Sequence, residues 1–340
     1  MVRGAARRIL FNFLIGFVGV LASHAQPFSP PTANRAVLDP VDGTKAFAPT
    51  PGRDWHSGTF GCVRSEGHQF HEGIDILSVA RGRKGEPTDP VMAAADGTVV
   101  YVNRKSGLSN YGNYLVIEHV IEGLPVYTLY AHLKEVGAGI SPGSKVKSGE
   151  QVAVLGRTSN TRQAITKDRA HVHFELNLFL SDRFDAWHTK FMAGTRNDHG
   201  MWNGQNMSGV DPWQLFLAQG KEGAKFSLRH FIQSQPELCR VVVREKDFSF
   251  ARRYAALIDR NGKAEKEGIA GYEIALTCHG APIRLIPRAE SELKSKSRVS
   301  VLGVNPPVFG SCPCSKLVTK SGSSWALTSK GERLIGLLTY

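Results

Sequence analysis

FHEGIDI, residues 70–76, sets His71 and Asp75 on either side of Gly73. The segment resembles a helical HExxH signature with an acid in place of the second histidine, but propensity decides against a helix. Gly73 lies mid-segment and the β-branched Ile74 and Ile76 flank the acid, so the chain reads as extended. A straight strand holds His71 and Asp75 roughly 13 Å apart at about 3.3 Å per residue. That is too far for two donors that must each lie about 2 Å from one ion. Gly73 is therefore read as a bend that brings them together.

HVHFEL, residues 171–176, alternates as a strand does. Residues two apart on a strand share a face at roughly 6.6 Å, so His171 and His173 project side by side. One can bind a metal while the other stands over the reacting groups, and the spacing leaves open which does which. His132 lies in VYTLYAHL, residues 126–133, a β-branched and aromatic run that predicts a strand with Tyr130 and His132 on one face. Two imidazoles and one carboxylate suffice for a catalytic zinc, which takes three protein ligands and leaves its fourth position to water. Two histidines then remain to manage protons. Singly, each segment has an ordinary explanation, since a His-x-His is often a surface pair and a lone strand His is often a satisfied core residue. Their combination with the intervening sequence is far more specific.

From about Gly61 to about Leu217 the chain resembles the lysostaphin-like (LytM-type) zinc metallopeptidases, which cut peptide bonds in bacterial cell-wall peptidoglycan. Besides FHEGIDI, YAHL and HVHFEL, the resemblance includes VMAAADGTVVYV (91–102), GNYLVIEH (112–119), VKSGEQVAVLGRT (146–158) and VDPWQLF (210–216). It implies that His71, Asp75 and His173 hold one zinc ion and that His132 and His171 are catalytic. His171 is then the candidate to orient or deprotonate water, and His132 to stabilise the oxyanion or protonate the leaving amine, although either histidine can be the base. Two basic stretches depart from the family pattern: SNTRQAITKDRA (159–170), directly before His171, and RGRKGEPTDP (81–90). Both read as solvated loops, or as loops that steer an anionic polymer.

Export is argued separately. Arg3, Arg7 and Arg8 precede an apolar run from Ile9 to Ala22 and the small-residue site Ser23-His24-Ala25, the pattern of a secretory signal over residues 1–25. The apolar run is shorter than the ~20 residues of a membrane span, an uncleaved anchor being the alternative. Gln26, rather than a cysteine, is the expected first mature residue, so no lipid is expected there. The whole chain has 42 basic and 30 acidic side chains, and removal of the signal leaves 39 against 30. Such a balance suits anionic wall polymers or membrane surfaces. Nucleic acid is the poorer partner for an exported chain without a nucleic-acid motif.

About 315 mature residues are more than one core usually holds. Residues 26–51, with Pro27, Pro30, Pro31, Pro40, Pro49 and Pro51, read as a linker or wrapping arm, residues 52–218 as the metallopeptidase domain, and residues 221–340 as an accessory domain. Near-continuous apolar runs such as YLVIEH and QVAVLG predict strands buried on both faces. Gly-containing turns such as SPGSKVKSGE (141–150) suggest an antiparallel β-sandwich or barrel-like sheet. Residues 180–209 read as a long loop or short helical insertion that walls the groove, with His188 and His199 at the surface. His68 is the candidate to support the ligands, and His119 is structural.

In the accessory domain, VVVREKDFSF, GYEIALTC, PIRLIPR and RVSVLGV predict strands, CHGAP and LVTKSGSSWALT hairpins, and FARRYAALI one short helix. This domain is expected to be β-rich, with wall binding, control of the groove and stabilisation all open as its role. Cys239, Cys278, Cys312 and Cys314 permit three pairings and leave Cys62 alone in the catalytic unit. The expected function is zinc-dependent hydrolysis of peptide bonds in peptidoglycan by an exported protein. The alternatives are a noncatalytic wall-binding module or activator of another wall hydrolase, and a peptidase acting on secreted proteins or peptides.

Overall fold

The computed structural model describes residues 27–161 and 164–340; the signal read in residues 1–25 lies outside them. β1 (Gly61–Arg64) and β2 (Gln69–His71) form a hairpin that leads into a nine-stranded antiparallel sheet. That sheet contains β3 (Ile74–Leu77), β4 (Pro90–Met92), β5 (Gly97–Asn103), β6 (Asn113–Ile121), β7 (Leu124–Val136), β8 (Lys145–Val146), β9 (Gln151–Leu155), β10 (His171–Phe179) and β11 (Met207–Val210). β10 is its axis. One edge pairs with β7, while the other is shared by β3 along its first half and β11 along its second. Every residue of β10 is buried, in keeping with the apolar runs of the sequence.

Alternation along β10 gives the sheet two different faces. Val172, Phe174, Leu176 and Leu178 join Ile74, Ile76, Leu115 and Tyr130 in the larger apolar cluster. α1 (Phe184–Phe191) contributes Phe184 and Trp187 to it, and α2 (Pro212–Glu222) contributes Leu215 and Phe216, whose ring stacks on Phe174 at 6.0 Å. Asp211 caps α2 through its carboxylate, which accepts from the Trp213 and Gln214 N–H groups, and Pro212 occupies the first turn where no donor is needed. The opposite face carries Tyr114, Val116, Tyr127, Leu129, Ala131 and Phe179, and it continues into the polar residues His171, His173 and Glu175.

Residues 27–51 lie against this sheet: the Phe28 N–H donates to Gln219 Oε1, the Met92 N–H donates to Pro31 O, and Phe47 bridges Ile76. The C-terminal region is also β-rich. β12 (Glu237–Val243), β13 (Gly271–Thr277), β14 (Pro282–Arg288) and β15 (Val299–Val304) form an antiparallel sheet in the order β14-β13-β12-β15. β16 (Val318–Ser321) and β17 (Ser324–Leu327) make a hairpin, followed by a helix over Ser329–Leu338. Among the described residues no helix is long and apolar enough to cross a membrane.

Several expectations change. FARRYAALI forms a helix over Ser249–Arg253 and a separate single turn at Ala255–Leu257, interrupted at Tyr254. His188 is buried rather than superficial: it packs against Phe184 and pairs with Thr195 Oγ1, because it lies on the inward side of α1. The disulfide joins Cys62 to Cys314, 252 residues apart. Cys62 is thus not alone, since folding brings the β1–β2 hairpin against the C-terminal segment.

Candidate metal centre

His71, Asp75 and His173 converge, with one donor atom from each lying within 4.8 Å of the others, and all three are buried. β2 ends at His71 and β3 begins at Ile74, so the break at Glu72–Gly73 supplies the bend. His71 Nε2 lies 3.2 Å from Asp75 Oδ1. Gly73 serves a second purpose, since a Cβ there would lie 2.3 Å from the Phe174 carbonyl oxygen. Only glycine lets the chain pass this close to β10. The register that follows sets Asp75 directly across from His173, and cross-strand partners share a face.

The histidines are held by their outward nitrogens. His71 Nδ1–H donates to the Thr59 carbonyl at 2.7 Å, leaving the Nε2 lone pair toward Asp75 and His173. His173 has Nδ1 2.9 Å from Asp75 Oδ1 and Nε2 2.8 Å from Glu175 Oε1. Glu175 is itself fixed by the Asn177 amide at 2.7 Å. Burial works against a charged His173, but hydrogen bonds to Asp75 and Glu175 overcome it and raise its pKa to about 10. Burial alone would raise the Asp75 carboxyl; at the acidic pH where a carboxyl titrates, the protonated His171 and His71 rings and Arg64 hold it well below the usual carboxylate range.

His171 and His132 stand beside this group. His171 Nδ1–H donates to the Arg169 carbonyl at 2.6 Å, and its Nε2 lies 3.6 Å from Asp75 Oδ1. His132 Nδ1–H donates to the Thr158 carbonyl at 2.8 Å, and its ring lies 4.9 Å from that of His171. Carbonyl oxygens only accept, so in both histidines the lone pair resides on Nε2. Burial, the largest influence on each, keeps both pKa values below the ordinary range, so both rings are neutral at pH 7.

Tyr130 and His132 do not share a face. Tyr130 packs on Phe174 at 5.2 Å in the large core, and its hydroxyl accepts from the Ala94 N–H. His132 has φ +58° at a bulge in the β6–β7 pairing. A left-handed residue breaks strand alternation, which turns this ring onto the face of His171 and His173. His68 is exposed and supports nothing at the site; Glu175 and the Thr59 carbonyl support the ligands instead. Glu175 continues the alternation of His171 and His173 and was detectable from period two alone.

Arg64 had no comparable signal. From β1, its Nη2 reaches Asp75 Oδ2 at 2.5 Å and His71 Nε2 at 2.8 Å, with its side chain 25% exposed. A guanidinium lying on two of the three donors shows that the group is built to receive positive charge. Two neutralisable imidazoles, a carboxylate and supported outward nitrogens fit a divalent metal. The surrounding cleft, about 510 Å³, is also lined by Arg53, Glu72, Tyr111, Ile165 and Arg169. The two basic insertions meet each other where Glu86 pairs with Lys167, and Glu86 also pairs with Arg157 just before the second insertion. His199 packs beside Tyr101 and Tyr114 on the adjoining wall, away from the ligands.

Comparison with known proteins agrees with these motifs. The model for peptidase family M23 matches residues 69–184. A lipoprotein NlpD/LppB homolog of Pseudomonas aeruginosa is 34% identical over 107 residues, covering 32% of this chain and 29% of that protein. The chain therefore spans less than a third of this relative's length. A zinc-containing peptidase from Vibrio cholerae has 27% identity, covering 39% of this chain and 30% of that one, with a TM-score of 0.23. The catalytic domain of lysostaphin from Staphylococcus simulans has 22% identity, covering 35% and 74%, with a TM-score of 0.24. On the motifs and the family match, residues 69–184 form a region of the LytM type of peptidase family M23.

Proposed function

We propose that this protein is an exported zinc endopeptidase that hydrolyses peptide bonds in bacterial peptidoglycan. The observation that carries this reading is the convergence of His71, Asp75 and His173 beside two neutral histidines in one cleft. In this reading the three converging residues hold one zinc ion, which supplies Lewis-acid polarisation and acidifies water when bound. His171 Nε2 accepts the proton of the attacking water, a role favoured by its neutral ring and its anchored Nδ1–H. His171 then hands that proton to the leaving amine, and His132, whose Nε2 carries its lone pair, accepts a hydrogen bond from the water or the amine. Tyr111 and Arg169 line the same cleft, within reach of a peptide bound there. The basic charge of the chain favours approach to an anionic wall.

A second reading, a noncatalytic wall-binding module or activator, draws on Arg64, whose guanidinium lies against His71 and Asp75. Incubating zinc-loaded protein with purified sacculi and identifying released fragments by mass spectrometry separates the two. Soluble cross-link fragments, absent with His173→Ala, support the peptidase. Wall binding without release supports the module, and cleavage confined to soluble peptides moves the substrate to secreted proteins.

A further inference from the structure

Thiol chemistry gathers on the side of the β1–β2 hairpin away from the metal ligands. Cys62 of β1 is bonded to Cys314, and the Sγ atoms of Cys62, Cys278 and Cys312 all lie within 4.8 Å of one another. Four of the five cysteines therefore meet at one place, while Cys239 is buried in β12. Cys278 and Cys312 are free, half-buried thiols in hydrogen-bonding contact.

The residue next to Cys278 suits that pair. His279 Nε2–H donates to the Gly209 carbonyl at 2.6 Å, so the lone pair resides on Nδ1, 3.9 Å from Cys278 Sγ. Burial lowers the His279 pKa to about 4 and pushes the Cys278 thiol up, so a neutral imidazole faces a thiol that stays protonated. Its ring stacks on Phe70 at 4.6 Å and meets Phe60 edge-on at 5.0 Å. The imidazole facing the thiol thus also grips the hairpin that carries Arg64 and His71.

We propose that Cys278 and Cys312 form a redox modification site that closes into a second disulfide beside Cys62–Cys314, tying the Cys312–Cys314 segment that holds the β1–β2 hairpin to the end of β13. The oxidant is a small disulfide. Cys312 loses its proton to solvent, and the resulting thiolate attacks one sulfur of the donor. The S–S bond of the donor breaks, and half of the donor leaves as a thiolate that takes up a proton. Cys278, giving up its proton to solvent as it attacks, then bonds to the Cys312 sulfur of the mixed disulfide and expels the other half as a thiolate that takes up a proton. Two protein thiols are oxidised to one disulfide, and one donor disulfide is reduced to two thiols.

The test treats the full chain with oxidised glutathione, alkylates the remaining thiols, and maps non-reduced peptides by mass spectrometry. The expected products are a Cys278–Cys312 linked peptide beside an intact Cys62–Cys314 pair, with Cys278→Ser stopping at one glutathione on Cys312. Amide exchange over residues 61–71 is expected to slow in the oxidised native chain and not in the variant. Full alkylation of Cys278 and Cys312 after oxidation, or a bridge from either to Cys62, overturns the proposal. The native-chain map alone decides this even where the variant does not fold.

Discussion

Both ring nitrogens of His173 face carboxylates, Asp75 on one side and Glu175 on the other, and its proton bookkeeping follows. A cation coordinated at Nδ1 must displace a proton held with a pKa of about 10, so binding releases one proton at neutral pH. Zinc affinity is expected to rise about tenfold per pH unit between roughly pH 7 and 9, measured by competition with a chelator of known pH dependence; a flat profile contradicts the assignment. By the same linkage, the raised pKa stabilises the fold fully below the unfolded value of 6.5, and that stabilisation is lost as pH climbs through about 10. Glu175→Gln keeps the shape and removes the charge behind His173, and is expected to weaken zinc binding about 10- to 100-fold. Arg64→Ala removes a guanidinium that competes for His71 and Asp75, and tighter zinc binding in the same titration is the expected sign. His132→Ala and His171→Ala are expected to retain zinc while losing most turnover, whereas His173→Ala loses the metal; metal analysis of the purified variants checks the contrast.

Among the elements, β10 does most of the positioning because it borders three partners and buries every residue. Its contact with β3 depends on the missing side chain at Gly73. Gly73→Ala places a methyl 2.3 Å from the Phe174 carbonyl, an overpacking expected to cost about 1–3 kcal/mol and to weaken zinc binding by separating Asp75 from His173. Urea titration with a parallel metal assay reads both effects. At α2, Asp211→Ala removes the acceptor for two N–H groups and is expected to cost about 1 kcal/mol, with Asp211→Asn, which keeps an acceptor oxygen, retaining most of the stability. A thermal melt of the two variants tests the cap without touching the site.

At the scale of the molecule, the C-terminal region braces the nine-stranded sheet at separate points. Tyr254 Oη accepts from the Phe179 N–H, Glu122 caps the helix at Leu228–Gln233, and His279 donates to Gly209 of β11. The Cys62–Cys314 bridge closes the longest connection. In the chain-entropy picture a loop of that length is worth about 5 kcal/mol. Cys62→Ala with Cys314→Ala is expected to lower the melting temperature and to loosen zinc, because β1 holds Arg64 and leads through the hairpin to His71. Differential scanning fluorimetry with and without zinc measures both; an unchanged melting point argues against a bracing role.

Residue type and short-range spacing sufficed to nominate His71, Asp75, His132, His171 and His173, because a strand repeats every two residues and a metal restricts its donors to few side chains. The apolar runs likewise implied an antiparallel β core, and the need for a break at Gly73 followed from distance alone. Contacts between residues remote in sequence were decided only by folding. The turning of His132 depended on a bulge set by β6, the place of Arg64 on a hairpin leaning over β3, and the partner of Cys62 on a segment 252 residues away. Local propensity records the backbone preferences of neighbouring residues, whereas these three outcomes arise where separate strands must share one face and one buried volume.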